Sequence, residues 1–367
     1  MTGIASASNS TLAASFAVHY HRYLDPDGKP LASLPDIARD YERLRRLYRI
    51  MMTVRAFDQR AVNLQRTGQL GTYASCLGQE AIGAALGDAM AQEDVLLPTY
   101  RETPALLMRG VAMHEILLYW GGDEKGMDFA DNRGDFPICI PIASQVPHAA
   151  GVAWSFKQRN EARVAACVLG DGGTSKGDFY EALNLAGAWQ LPLLLLIVNN
   201  QWAISVPRSA QSGGQTLAQK AIAAGVGCEQ VDGNDIVALH HRLALALDRC
   251  RKGGGPYLIE ALTYRLSDHT TADDASRYRG KEELEQHFTQ EPIARLRRYL
   301  EAAGEWNQNL EESAQNDCAA AVEAEVERYL ETPHPPPGAM FDHLYATLPD
   351  SLRWQLREAR AKGHGCG

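Results

Sequence analysis

The chain has 367 residues, 45% hydrophobic and 22% charged, with a formal net charge of −9. These values fit an ordinary globular protein of one large α/β domain or two small ones, and the acidic balance offers nucleic acid no attraction. No apolar run approaches the ~20 residues of a membrane-spanning helix.

The first fifteen residues, rich in Ser and Ala, have neither an apolar core nor an arginine before Arg22. A disordered tail is expected there, with no cleaved signal. Residues 1–34 as a whole read as a partly disordered N-terminal arm, irregular over 16–36 where Pro and Gly recur. From Pro35 to Gln65 apolar residues alternate with Arg, Asp and Glu at helical spacing. A Gly-punctuated loop leads to a small-residue helix over Gln79–Met90, and Leu96-Leu97-Pro98-Thr99-Tyr100-Arg101 is a short apolar strand with a polar end. A helix is expected over Pro104–Trp120, and a mobile charged loop over Gly121–Asp135. Cys139–Pro147, with two prolines, runs into a helix containing Ala149, Ala150, Gly151 and Ala153.

The centre of the chain is more regular. Val164–Leu169 and Leu193–Val198 are uniformly apolar, and between them Phe179, Leu183, Ala186 and Trp189 share one helical face that Pro192 ends. Strands without alternation are buried on both faces, so the unit is strand–helix–strand of a parallel sheet, whose ligands bind beyond the carboxyl ends of the strands. Those ends read Gly170-Asp171-Gly172-Gly173 and Asn199-Asn200. A carboxylate and an amide oxygen suit Mg²⁺ shared with phosphates, and glycines let the backbone approach them. A helix opening near Lys176–Asp178 aims free amides at the same place. G-x-G-x-x-G is absent, which argues against a dinucleotide.

Further on, a polar loop covers Ser205–Gly214, then a helix Thr216–Gly225, a strand Cys228–Asp232 and an amphipathic helix Asp235–Lys252 stopped by Gly253-Gly254-Gly255-Pro256. A strand Tyr257–Tyr264 enters the polar loop RLSDHTTADDASRYRG. Helices fill the rest of a domain spanning 35–331. A proline linker, Thr332–Gly338, and a last helix near Met340–Lys362, expected to pack onto a partner, make up 332–367. Seven scattered cysteines without a C-x-x-C pair argue for a reducing, cytoplasmic setting and against a zinc site.

Gly-Asp-Gly, 26 positions, then Asn-Asn resembles the thiamine-diphosphate motif. With RAFDQRAVNLQRTGQLGTYASCLGQEA, LLPTYRETP, IASQVPHAAGVAW, GDGGTSKGDFYEALNLAGAW, NNQWAIS, TLAQKAIAAGVG, VDGND and YRLSDHTTADDASRYR, the stretch from Pro35 to Asp350 resembles the alpha subunits of the decarboxylating component of 2-oxo acid dehydrogenase complexes. The resemblance implies a doubly wound, mainly parallel sheet flanked by helices, the diphosphate-binding half of a thiamine-diphosphate fold, with helical N- and C-terminal extensions. It assigns Mg²⁺ to Asp171, Asn200 and the Trp202 carbonyl, and the diphosphate to Gly170, Gly172, Gly173, Tyr100 and Arg101. The backbone of Ile140 and Ile142 meets the aminopyrimidine. Cys139, Pro141, Ser144 and Gln145 occupy a K⁺ site of some relatives.

By the same resemblance His269 stands over the thiazolium and assists acyl transfer to lipoamide, while Arg265 and Asp273 tie its loop down when cofactor is bound. Thr270 matches a phosphorylated position of animal relatives and is expected to be unmodified here. Ala74 replaces a histidine of animal pyruvate-branch proteins, and Asp268, beside His269, is expected to raise that imidazole's pKa. The implied partners are a beta subunit, which supplies the glutamate for the pyrimidine in an alpha-two beta-two assembly, a lipoyl domain with its core acyltransferase, and the 2-oxo acid. No nucleic acid or membrane partner is expected. The wording leans to pyruvate, with branched-chain 2-oxo acids as the alternative. A transketolase-like enzyme would need both cofactor halves, and a non-catalytic scaffold would have no use for the metal ligands.

Overall fold

In the computed structural model, which describes residues 11–31 and 33–363, six parallel strands form the central sheet. They are β1 (Tyr20–His21), β2 (Val95–Leu97), β3 (Ala165–Gly170), β4 (Leu193–Asn199), β7 (Gly227–Asp232) and β8 (Tyr257–Leu262), in the order β1-β7-β8-β4-β3-β2. A small antiparallel pair, β5 (Trp202–Ala203) and β6 (Val206–Pro207), follows β4. The helices that matter to the site are α1 (Tyr41–Arg66), α2 (Glu80–Ala89), α3 (Thr103–Met108), α4 (Met113–Trp120), α5 (Gln145–Arg159), α6 (Gly177–Trp189), α7 (Arg208–Gln211) and α8 (Ile236–Arg251).

Burial explains why β4 has no polar alternation. Leu194, Leu196 and Val198 join the core formed with α1, α2 and α8, whereas Leu193, Leu195 and Ile197 join the one formed with α5 and α6. Each such leucine contributes about 1.5–3 kcal/mol. The register pairs Gly170 with Val198 and Asn199 with Leu262, so the residues after β3, β4 and β8 emerge side by side at one end of the sheet.

Several segments differ from the sequence reading. The arm is no loose surface strap over its described part: Tyr20 and His21 pair with β7, and Leu24 is fully buried. Two-residue strands leave no pattern to read. Residues 1–10, part of the expected tail, lie outside the described residues. The first helix is a 3₁₀ turn, Asp36–Arg39, and then α1, capped by Asp40. Pro104–Trp120 is two helices, because Gly110 at φ +92° ends α3 in the left-handed region. The loop expected to be mobile is pinned: Asp135 is buried, accepts the Leu96 N–H at 2.7 Å and pairs with Arg109, while Asp123 caps the turn Glu124–Met127. Thr216–Gly225 is a 3₁₀ turn over Ala218–Ala224, and the last helix spans Asp350–Gly363 only. No helix among the described residues is long and apolar enough to cross a membrane. Six cysteines are free thiols, and Cys366 lies outside the described residues.

Candidate active site

A cavity of about 690 Å³ lies beyond the carboxyl ends of β3 and β4. Its wall contains Tyr100, Arg101, Gly170, Asp171, Gly172, Gly173, Asn200, Trp202, Arg265 and His269, drawn from four parts of the chain. Ile142 also lines it, whereas Ile140, two residues earlier in the proline-rich segment, does not. Both isoleucines are about half exposed. A larger cavity, about 880 Å³, opens behind the 266–279 loop, but it gathers none of the expected metal or diphosphate residues.

Asp171 begins a 3₁₀ turn, Asp171–Ser175, at the tip of β3. Thr174 Oγ1 donates to the Asp171 carbonyl at 2.7 Å, and Lys220 Nζ donates to both Thr174 oxygens at 2.9 Å, which locks the turn. Gly172 is required here, since a Cβ would fall 2.8 Å from that of Ala203. Gly170 fronts open space. The Asp171 carboxylate is 2% exposed; Oδ1 accepts the Gly172 N–H at 2.9 Å, and Oδ2 has no partner. Burial pushes its pKa up to about 6.

Asn200 follows β4 and is buried. Its Nδ2 donates to Gln79 Oε1 at 3.1 Å, and its Oδ1 accepts the Trp202 N–H at 3.3 Å. Gln201 (φ +73°) and Ile204 (φ +55°) hold left-handed conformations that non-glycine residues adopt at a cost, folding the chain back beside the turn. The Trp202 carbonyl accepts from Arg265 Nη1 at 3.3 Å.

Arg101 is 8% exposed, donates to the Ser75 and His269 carbonyls, and forms no ion pair with any carboxylate among the described residues. Its guanidinium lies 5.2 Å from the Tyr100 ring centre, and that ring stands edge-on to His269 at 6.2 Å. A buried, unpaired guanidinium is built for an anion.

Arg101 Nη2 lies 3.1 Å from His269 Nδ1. Arginine only donates, so Nδ1 accepts and the ring proton sits on Nε2. Burial, then Arg101 and Arg265, push the His269 pKa down to about 4. The expected influence of Asp268 is overturned. Its Oδ1 turns away to accept the Ala275 N–H at 2.9 Å, and the opposing carboxylate is Asp273, whose Oδ2 takes the His269 N–H at 2.8 Å. Arg265 and Asp273 do not touch directly either. Tyr278 stands between them, accepting from Arg265 Nη2 at 2.7 Å and donating to Asp273.

Cys139, Pro141, Ser144 and Gln145 also come together. Ser144 Oγ donates to the Pro141 carbonyl at 2.9 Å and lies 3.1 Å from Cys139 Sγ, while Gln145 Nε2 donates to the Val168 carbonyl at 2.8 Å. Gln145 Oε1 is left without a partner. Among the described residues seven buried side-chain N or O atoms make no hydrogen bond; two of these, Asp88 Oδ2 and His240 Nε2, face each other at 3.0 Å, and three of the others (Asp171 Oδ2, Gln145 Oε1 and Gln79 Nε2) belong to residues on this one cavity. Buried polar groups are normally satisfied, so this wall holds an unusual concentration of open hydrogen-bonding positions. No cluster of three His, Cys, Asp or Glu forms a metal site among the described residues. The donor set is hard oxygen with one carboxylate, which fits Mg²⁺ alongside phosphate. Sequence reasoning missed Gln79, Lys220 and Tyr278. All three sit inside the quoted motifs, yet none of these residue types announces its contact.

The geometry agrees with the comparisons. Residues 48–338 match the family model described as "Dehydrogenase E1 component". A 3-methyl-2-oxobutanoate dehydrogenase subunit alpha of Mycobacterium tuberculosis is 39% identical over 344 residues, 92% of each chain. The pyruvate dehydrogenase E1 component subunit alpha of Staphylococcus epidermidis is 38% identical over 342 residues, again 92% of each, and that of Staphylococcus aureus 39% over 322, covering 88% of this chain and 87% of the relative. The chain therefore belongs to the dehydrogenase E1 component family, as an alpha-type 2-oxo acid dehydrogenase chain.

Proposed function

We propose that the chain is the alpha subunit of a pyruvate dehydrogenase decarboxylating component, using thiamine diphosphate and Mg²⁺ and passing the acyl group to a lipoyl domain of its core acyltransferase. The observation that carries this reading is Asp171, with its unsatisfied Oδ2, beside Asn200 at the tips of adjacent strands. Asp171, Asn200 and the Trp202 carbonyl would hold the metal, the last on release from Arg265. Gly170, Gly172, Gly173, Tyr100 and Arg101 would hold the diphosphate, and Ile140 and Ile142 would offer backbone to the pyrimidine. The orphaned Gln145 Oε1 supports a K⁺ beside Pro141 and Ser144.

When bound, thiamine diphosphate supplies stabilisation of the carbanion left by decarboxylation. The residues of this chain orient and move protons around it. Arg101 fixes the anionic end and simultaneously holds His269 through Nδ1, leaving the Nε2 proton free for the reacting atoms. Arg265, Tyr278 and Asp273 keep the His269 loop in place. A beta subunit, which completes an alpha-two beta-two heterotetramer, brings the glutamate that faces the pyrimidine. Branched-chain 2-oxo acids are the second reading, supported by the similarity to the mycobacterial subunit. One or two methylenes separate these substrates by only about 1–3 kcal/mol.

The test mixes the chain with its beta partner, thiamine diphosphate and Mg²⁺ and follows dye-linked decarboxylation of pyruvate and of 3-methyl-2-oxobutanoate. Faster turnover of pyruvate is expected. The reverse ratio moves the assignment to the branched-chain substrate, and turnover of neither overturns the function.

A further inference from the structure

Gln79 stands at the head of α2, yet its side chain makes no hydrogen bond to its own helix. It turns onto the cavity wall instead, 5% exposed, with Oε1 accepting from Asn200 Nδ2 at 3.1 Å across 121 positions of chain. Its backbone is held firmly. The Gln79 N–H donates to the Cys76 carbonyl at 2.8 Å, and Gly78 takes φ +89° where a Cβ would lie 2.7 Å from the Tyr264 carbonyl.

A primary amide has one accepting end and one donating end of nearly equal size, and a hard divalent cation takes only the oxygen. Two contacts decide which end of Asn200 is which. The Trp202 N–H fixes Oδ1, and Gln79 Oε1 fixes Nδ2. Flipping Asn200 would oppose two donors at Trp202 and two acceptors at Gln79. The same chain of contacts determines Gln79 itself: with Oε1 committed to Asn200, its Nε2 is the end left buried without a partner.

We infer that Gln79 is a positioning residue of the cofactor site, Oε1 holding the Asn200 amide with its oxygen available to the metal and Nε2 donating to an oxygen of the bound diphosphate. This rests on the metal assignment of Asp171 and Asn200 proposed above. A purely structural glutamine would leave neither an orphaned donor at the cavity nor a link to a metal ligand.

The experiment uses the chain assembled with its beta partner and measures thiamine diphosphate binding calorimetrically across a series of Mg²⁺ concentrations. Thermal unfolding of the unliganded complexes is recorded alongside. Gln79→Leu removes both functions and is expected to raise the Mg²⁺ half-saturation point and the thiamine diphosphate Kd about tenfold or more, with unliganded unfolding unchanged. Gln79→Glu keeps the acceptor but replaces the donor with a charge, and is expected to weaken thiamine diphosphate binding at every Mg²⁺ concentration. Affinities within about twofold of the unaltered complex in Gln79→Leu overturn the inference. If the leucine variant unfolds early, Gln79→Glu decides, and unchanged affinity there overturns the donor role. Asp171→Ala separates the two levels of the argument. Loss of binding in Asp171→Ala with retention in Gln79→Leu sinks only the role of Gln79, whereas retention in both sinks the metal site.

Discussion

Asp171 and Asp235 are both buried carboxylates placed just beyond the carboxyl ends of parallel strands, β3 and β7, each at the head of a helical turn. Their surroundings differ completely. Asp235 Oδ1 accepts the N–H groups of Val237 and Ala238, and Oδ2 those of Tyr23 and Leu24 at 2.7 and 2.8 Å, so one side chain caps α8 and clamps the N-terminal arm. Asp171 has a single backbone donor and an unsatisfied oxygen. At matched positions in the sheet, a saturated carboxylate holds the fold, and an unsaturated one leaves an oxygen open to the cavity.

Removing each carboxylate should separate the two roles. Asp171→Ala is expected to lower thiamine diphosphate–Mg²⁺ affinity by more than about 100-fold, since even outer partners of a metal ligand are worth 10–100-fold. Unliganded stability should hold or rise, because an orphaned buried charge is gone; calorimetric binding and urea unfolding check both parts. Asp235→Ala should do the opposite. It strands four backbone donors and costs about 3–5 kcal/mol in urea unfolding, with cofactor affinity kept in the folded fraction. A loss of binding without a loss of stability in Asp235→Ala would break the contrast.

The smallest effect sharpens it through pH. His269 has a folded pKa of about 4, below the ordinary histidine value of 6.5. The unfolded chain therefore binds more protons between pH 4 and 6.5, so this residue's contribution is complete above that window and lost as pH falls through it. His269→Gln keeps an acceptor for Arg101 and should flatten the urea midpoint between pH 6.5 and 4. The difference is on the order of 1 kcal/mol, because the imidazole is partly solvent-screened. A steeper profile in the variant would show that His269 is charged in the fold.

The unevenness of what the sequence discloses follows from distance along the chain. β3 and β4 were legible because burial on both faces leaves an unbroken apolar run, and their tips announced Asp171 and Asn200. β1 is hidden because two residues carry no period and its pairing partners, Gln230 and Val231, lie more than 200 positions away. The single helix read over Pro104–Trp120 ignored Gly110, whose φ only the fold reveals. Adjacency in sequence suggests that Asp268 acts on His269, whereas the loop turns that carboxylate away and brings Asp273 in. Gln79 is in plain view, but its contact with Asn200 spans 121 positions of chain.

The bridge from Arg265 through Tyr278 to Asp273 has one more outcome. Arg265 is shared between that bridge and the metal end of the cavity: Nη2 holds Tyr278 while Nη1 donates to the Trp202 carbonyl. Any movement of Arg265 off that carbonyl is therefore felt by Tyr278 and, through Asp273, by the backbone of His269.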